Sequence, residues 1–288
     1  MSSFTCQPLQ PLFAAEVEGV DLRAAADGSL AAEVEAAMDQ FAVLVFRDQT
    51  MNESEQMAFT RTLGTIDMGL LKVLQAKSRF TEAGMIDISN VDLDNRVRAR
   101  DDPKLVAMFA NQLWHSDSSF KQPAAKYSLL LACIVTEQGG ETEFADMRAA
   151  YDALPDATVA EIEPLVAQHS AFHSRTQLDD AQYTEADLAA FPPVQWPVVR
   201  VHPGSKRKTL YIGVHAERII NRPVPEGRLL LTELLEHATQ REFVYRHTWR
   251  PGDLVIWDNR AVLHRGRRYD LTQRRELRRS TVEDIRPA

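Results

Sequence analysis

His115-Ser116-Asp117 places an imidazole and a carboxylate two residues apart, and in an extended segment alternate side chains project to the same face. One strand end can thus offer two ligands to a metal ion. A third would come from His264, which stands in the strand-like run Ala261-Val262-Leu263-His264-Arg265 near the other end of the chain. Two histidines and one carboxylate on one face of iron(II) leave the opposite positions open for substrates, the arrangement that oxygenases use. His-x-Asp alone is a short pattern that chance produces, with each histidine a satisfied, half-buried residue. The later histidine and the arginines around it are what chance does not reproduce.

Those arginines are Arg265, Arg267, Arg268, Arg274, Arg275, Arg278 and Arg279. Taken as a run they would be a solvated or nucleic-acid-binding basic stretch, but strand parity separates them. A strand from Glu276 to Val282 turns Arg275, Leu277, Arg279 and Thr281 one way and Glu276, Arg278 and Ser280 the other. Leu277 marks the inward face. A buried guanidinium needs a carboxylate, which its planar fork matches bidentately, so two inward arginines imply two carboxylates, or one plus a structural pair. His169 and His173, four apart, would form a zinc pair on a helix, although the hydrolase version has glutamate directly after the first histidine and Ser170 is there instead. His202 and His215 lie near strand ends, where lining a pocket and filling the core are equally open. His237 and His247 carry no motif.

The elements that must position these groups read as one domain over residues 1–288, within the range of a single large barrel or sandwich. Forty-one acidic against 33 basic residues, a formal charge of -8, make a nucleic-acid surface unexpected. The start MSSFTCQPLQPLF has no basic-then-apolar leader, and no stretch approaches a membrane span of ~20 apolar residues; a cytoplasmic location is expected. Cys6 and Cys133 are too few for a disulfide framework or cysteine zinc site, and Cys133, in the apolar run Tyr127 to Val135, reads as core. Leu30 to Gln40 predicts a helix, Phe41 to Phe46 a strand buried on both faces, and Asn52 with Glu55 a capped helix that Gly64 ends. Residues 65–110 form an irregular excursion with a strand-like piece at Met85 to Val91 and turn residues at Asp94 and Asn95; such excursions often carry function. Further strands are predicted at Tyr127 to Val135, Val198 to His202, Leu210 to His215, Phe243 to Trp249, Leu254 to Trp257, Ala261 to Arg265 and Glu276 to Val282. Helices are predicted at Asp146 to Leu154, Ala157 to Gln168 and Glu226 to Ala238. Short strands joined by turns such as Pro251-Gly252-Asp253 predict a mainly β fold of the jelly-roll kind with flanking helices.

Over nearly its whole length the sequence resembles the taurine/2,4-dichlorophenoxyacetate dioxygenase family. The resemblance is carried by VLVFR (Val43 to Arg47), DISNV (Asp87 to Val91), FANQLWHSDSSF (Phe109 to Phe120), FADMRAAYDALP (Phe144 to Pro155), Pro225 to His247 and Gly252 to Thr281. The last is the most specific, because Trp257-Asp258-Asn259-Arg260 precedes His264 and Arg275 follows it by eleven residues. The resemblance implies a double-stranded β-helix with Fe(II) on His115, Asp117 and His264. It implies 2-oxoglutarate chelating that metal while its far carboxylate meets Arg275 and the Thr142 hydroxyl beside Trp257, and O2 as oxidant. Arg279 would grip a small anionic aromatic substrate, assisted by Lys72 and Asn111. For a phenoxyacetate, hydroxylation gives a hemiacetal that collapses to a phenol and glyoxylate, with succinate and CO2 from the co-substrate. Taurine-like sulfonates, alkyl sulfates and phenoxypropionates are alternative substrates within the family. A zinc hydrolase on the same triad, or a jelly-roll binding protein, are alternatives outside it. Symmetric self-association into a homo-oligomer is a further expectation.

Overall fold

The computed structural model describes residues 3–68, 78–179 and 184–284. In chain order its strands are β1 (Thr5–Pro8), β2 (Ala15–Glu18), β3 (Val43–Phe46), β4 (Ile86–Ser89), β5 (Ala125–Ile134), β6 (Thr142–Asp146), β7 (Val166–His169) and β8 (Val194–Pro197). They continue with β9 (Val199–Val201), β10 (Lys208–Leu210), β11 (Ala216–Ile219), β12 (Val244–His247), β13 (Leu254–Asp258), β14 (Val262–Gly266) and β15 (Glu276–Glu283). Seven form one sheet in the order β1-β2-β3-β13-β5-β15-β4, and β12-β6-β14 form a second, three-stranded sheet.

Side-chain alternation shows how the two sheets meet. Val43, Val45, Leu130, Val255, Trp257 and Leu277 of the large sheet cluster with Phe144 of β6, whereas Leu44, Phe46, Leu129, Leu131, Leu254 and Ile256 project to the opposite side. There they meet helix α1 (Ala31–Phe41) through Val34, Ala37 and Met38, and helix α2 (Glu53–Thr62) through Phe59. The large sheet is therefore covered on both faces, which is why β3 and residues 254–257 of β13 are uninterrupted apolar runs. The amphipathic helix Val224–Ala238 packs Leu230, Leu231 and Leu234 with Ala145 and Leu263, on the far side of the small sheet.

Local chemistry sets the helix ends. Asn52 Oδ1 accepts from the Glu55 N–H at 2.9 Å while Glu55 Oε2 accepts from the Asn52 N–H at 2.7 Å, the expected capping box. Helix α1 runs through Phe41 and closes at Ala42, whose left-handed φ of 58° lets its N–H reach the Met38 carbonyl. The buried strand consequently starts at Val43 rather than Phe41. Among the described residues, no helix is long and apolar enough to cross a membrane.

Three further expectations are corrected, and the disfavoured helical pairing of His169 with His173 is also settled. The helix foreseen from Ala157 to Gln168 is Asp156–Ile162 followed by strand β7; Pro164 breaks it, since proline cannot donate to the helical ladder and restricts the residue before it. His169 therefore ends a strand and His173 begins a separate short helix, so the two are not a helical zinc pair. The strand foreseen from Leu210 to His215 stops at Leu210, because Gly213 adopts φ +120° and packs its backbone against Trp114 and His115. Cys133 is exposed rather than core: β15 pairs Leu277 with Ala132 and Glu276 with Ile134, leaving Cys133 as the bulged residue between them.

Candidate active site

Backbone pairing brings the distant histidines together. The His115 N–H donates to the His264 carbonyl at 3.0 Å and the His264 N–H returns to the His115 carbonyl at 2.8 Å, which sets the two rings 4.1 Å apart between centroids. Asp117 lies in the turn just beyond this bridge rather than in a continuing strand, yet it converges on the same point. One donor atom from each of His115, Asp117 and His264 lies within 4.8 Å of the others. All three side chains are buried.

Their protonation suits a cation. The His115 Nδ1 faces the Leu113 carbonyl at 2.7 Å, a bond that assigns the proton to Nδ1 and leaves the Nε2 lone pair for a metal. Burial pushes both His115 and His264 below the ordinary imidazole range, so both are neutral. Burial alone would raise the Asp117 carboxyl, but the Arg279 guanidinium and the two histidines outweigh it and hold it well below the usual carboxylate range. Two neutral imidazoles and one ionised carboxylate are a donor set that fits a divalent first-row metal. Asp117 Oδ1 accepts from Arg279 Nη1 at 2.5 Å and Oδ2 from the Ser128 hydroxyl at 2.7 Å.

The cluster opens into a cavity of about 1140 Å³ whose walls include Asn111, Thr142, Trp257, Arg275 and Arg279. Arg275 is the electrostatic anomaly. Only 7% exposed, it donates from Nη2 to the Gly140 carbonyl at 2.9 Å and lies over the Tyr269 ring at 5.1 Å. Among the described residues it forms no ion pair with a carboxylate, and burial pushes its pKa below the ordinary guanidinium value. Burying a cation without a carboxylate partner is costly, and an arriving anion would offset that cost. Thr142 accepts from Trp249 Nε1 at 3.0 Å, leaving its hydroxyl proton free to donate. Trp257 stands 4.6 Å from the His264 ring. Arg279, paired with Asp117, has a buried Nε with no partner. Asn111 sits in the short helical turn Met108–Gln112, and Lys72 lies outside the described residues.

Of the histidines left open, His202 is core: its Nε2 donates to Asp258 Oδ2 at 2.9 Å and both side chains are fully buried. His215 packs edge-on behind His115, ring centroids 6.3 Å apart, with burial holding it at about 3 and its Nδ1 3.2 Å from the Ser170 carbonyl. It is not among the residues lining the cavity. The supports of Asp117, namely Ser128 and Asn259, and the Gly140 and Tyr269 that flank Arg275 had no assigned role in the sequence. Gly140 carried a signal, standing in a Gly-Gly pair just ahead of Thr142. Its φ is +73° and a Cβ there would lie 2.9 Å from Arg275 Nε. We expect Gly140→Ala to displace the guanidinium and, at ~1–2 kcal/mol for a left-handed non-glycine residue, to lower Tm by roughly 2–8 °C; thermal melts check this, and an unchanged Tm would contradict it.

Over residues 5–281 the chain matches the family described as taurine catabolism dioxygenase TauD, TfdA family. It is 58% identical over 282 residues, 98% of each chain, to an alpha-ketoglutarate-dependent 2,4-dichlorophenoxyacetate dioxygenase of Cupriavidus pinatubonensis. It is 36% identical over 288 residues, 97% of this chain and 95% of the relative, to an (S)-phenoxypropionate/alpha-ketoglutarate-dioxygenase of Sphingobium herbicidovorans. The crystal structure of AAD-2 in complex with Mn(II) and N-oxalylglycine superposes with a TM-score of 0.94 at 47% identity, covering 99% of each chain. At this identity over nearly the whole chain, and in a fold matched this closely, the protein is a 2-oxoglutarate-dependent dioxygenase. The chain belongs to the TauD/TfdA family.

Proposed function

We propose that this dioxygenase hydroxylates the carbon beside the ether oxygen of a phenoxyacetate-type carboxylate, 2,4-dichlorophenoxyacetate or a close analogue. The observation that carries the reading is Arg275, a buried cation lacking a carboxylate partner among the described residues in the same cavity as the three-ligand cluster. Its missing anion is the far carboxylate of 2-oxoglutarate, to which the Thr142 hydroxyl also donates, with Trp257 flanking it. N-oxalylglycine in AAD-2 has the same two-ended acidic shape, which supports a site for such a diacid. His115, Asp117 and His264 would hold Fe(II), whose chemistry when bound is to activate dioxygen for oxidation of a C–H bond.

The chain's own contribution is placement. Arg279 offers its unpartnered Nε to the substrate carboxylate while Nη1 holds Asp117, and this ties the substrate anion to the ligand set. Asn111 and Lys72 are assigned as its helpers. One oxygen atom of O2 enters succinate as 2-oxoglutarate loses CO2, and the other becomes the new hydroxyl; the resulting hemiacetal releases a phenol and glyoxylate. The whole chain is assigned to one catalytic domain. The facing sheets are read as a double-stranded β-helix, and the 65–110 excursion contributes Ile88, Arg100 and Leu105 to the cavity wall.

Arg279→Ala should lower kcat/KM for phenoxyacetates at saturating 2-oxoglutarate by about 30-fold or more, from ~2 kcal/mol for losing one partner of a buried charge pair. Toward the uncharged analogue 2-phenoxyethanol the loss should be much smaller. Equal losses on both compounds would remove Arg279 from substrate recognition. The substrate class itself is tested by succinate release with Fe(II) and 2-oxoglutarate across phenoxyacetates, both phenoxypropionate enantiomers, cinnamates and taurine. Phenoxyacetates should lead; taurine or a phenoxypropionate leading would overturn the proposal, as would substrate turnover with zinc and no succinate.

A further inference from the structure

Trp257-Asp258-Asn259-Arg260 spans the end of β13 and the corner leading to β14, and its members divide the work. Asp258 closes the corner: Arg260 donates to it from Nε at 2.9 Å and Nη2 at 2.7 Å, and His202 from Nε2 at 2.9 Å. Trp257 faces the cavity. Asn259, only 1% exposed, points instead toward the metal ligands. Its Oδ1 accepts both the Asp117 N–H at 3.0 Å and the Trp257 indole N–H at 3.1 Å, which fixes the orientation of the amide. Its Nδ2 donates to the Ser128 hydroxyl at 3.0 Å, and that hydroxyl donates onward to Asp117 Oδ2 at 2.7 Å. The Asn259 carbonyl accepts from Ser116 Oγ at 2.7 Å. One amide thus reaches the Asp117 backbone directly and one of its carboxylate oxygens through a single hydroxyl.

We propose that Asn259, relayed by Ser128, is the positioning residue that aims the Asp117 carboxylate at a divalent cation and locks Trp257 beside His264. The proposal rests on reading His115, Asp117 and His264 as metal ligands. Hydrogen-bonding partners one layer behind a ligand typically change metal affinity 10–100-fold when removed. An amide that merely pinned the corner would not act on affinity through Ser128, a residue of the separate strand β5.

The test is Mn(II) binding, followed by loss of the free-ion electron paramagnetic resonance signal. It compares wild type with Ser128→Ala, Asn259→Asp and the double variant, each first checked for folding by circular dichroism without metal. Asn259→Asp keeps the Oδ1 acceptor that serves the corner but loses the Nδ2 donor that orients Ser128. Both single variants should bind Mn(II) 10–100-fold more weakly, and the double variant should lose little beyond the worse single one, because one relay is broken either way. Single-variant affinities within about threefold of wild type, or losses that multiply in the double variant, would overturn the relay. Absence of Mn(II) binding by wild type would instead overturn the ligand assignment. Should Asn259→Asp fail to fold, Asn259→Ser, whose side chain is too short to reach Ser128, takes its place in the same comparison.

Discussion

Alanine at His115, Asp117 or His264 will abolish turnover together with metal-dependent stabilisation, in a protein that still folds. The backbone bonds joining His115 to His264 belong to main-chain atoms, so removing either ring leaves the bridge intact while deleting one of three donors within 4.8 Å. A cation that binds only the native state stabilises it by about 2.7 kcal/mol at a hundred times its Kd, or roughly 5–10 °C in Tm for a chain of this size. Wild type should show that rise with Fe(II) under anaerobic conditions, and the variants should not. Asp117→Ala should in addition have the lowest metal-free Tm of the three, because it strands the Arg279 cation that now pairs with Oδ1. Any variant that retains both wild-type turnover and the metal-induced shift is not a ligand.

Arg275→Met should move stability and co-substrate binding in opposite directions. The guanidinium is buried with no carboxylate partner among the described residues, so an apolar side chain of similar length removes a desolvation cost in the ligand-free state; its Tm should equal or exceed that of wild type. On the proposed reading binding should suffer, because the charge-assisted contact to the far carboxylate of 2-oxoglutarate would be lost. Truncating one partner of such a buried pair costs ~2–5 kcal/mol, so the 2-oxoglutarate KM should rise about 30-fold or more. Thermal melts with and without 2-oxoglutarate, alongside initial rates, read both quantities. A lower ligand-free Tm with an unchanged KM would make Arg275 a purely structural residue.

The candidate site was the most legible part of the sequence. His115 and Asp117 are two positions apart, and the parity of Glu276 to Val282 correctly turned Arg275 and Arg279 toward the cavity they line. Parity failed on the other face. Arg278, read as pointing away from the interior, is also buried, with Nε donating to Gln56 Oε1 of α2 at 2.9 Å; period-two patterns cannot say whether a helix covers the second face. Cys133 was misread because a bulge is invisible in an apolar run. Pro164 is a legible local signal for the break between the helix and β7. Gly213 breaks a strand-like run for a reason no local pattern contains, the approach of the His115 backbone. The supports behind Asp117 were illegible for the same reason: Ser128 and Asn259 meet it only because β5 and β13 are neighbours.

The sheet order β3-β13-β5-β15 seats residues 43–46 beside residues 254–258, and residues 125–134 between those and residues 276–283. No portion of the polypeptide before residue 254 can complete the central pairings alone, so a nascent chain emerging from the ribosome must wait for residues 254–283 before the sheet closes. High sequence separation of this kind slows folding. Until that moment β3 and β5 expose unsatisfied apolar edges, and this places the hazard of aggregation in synthesis rather than in the finished enzyme.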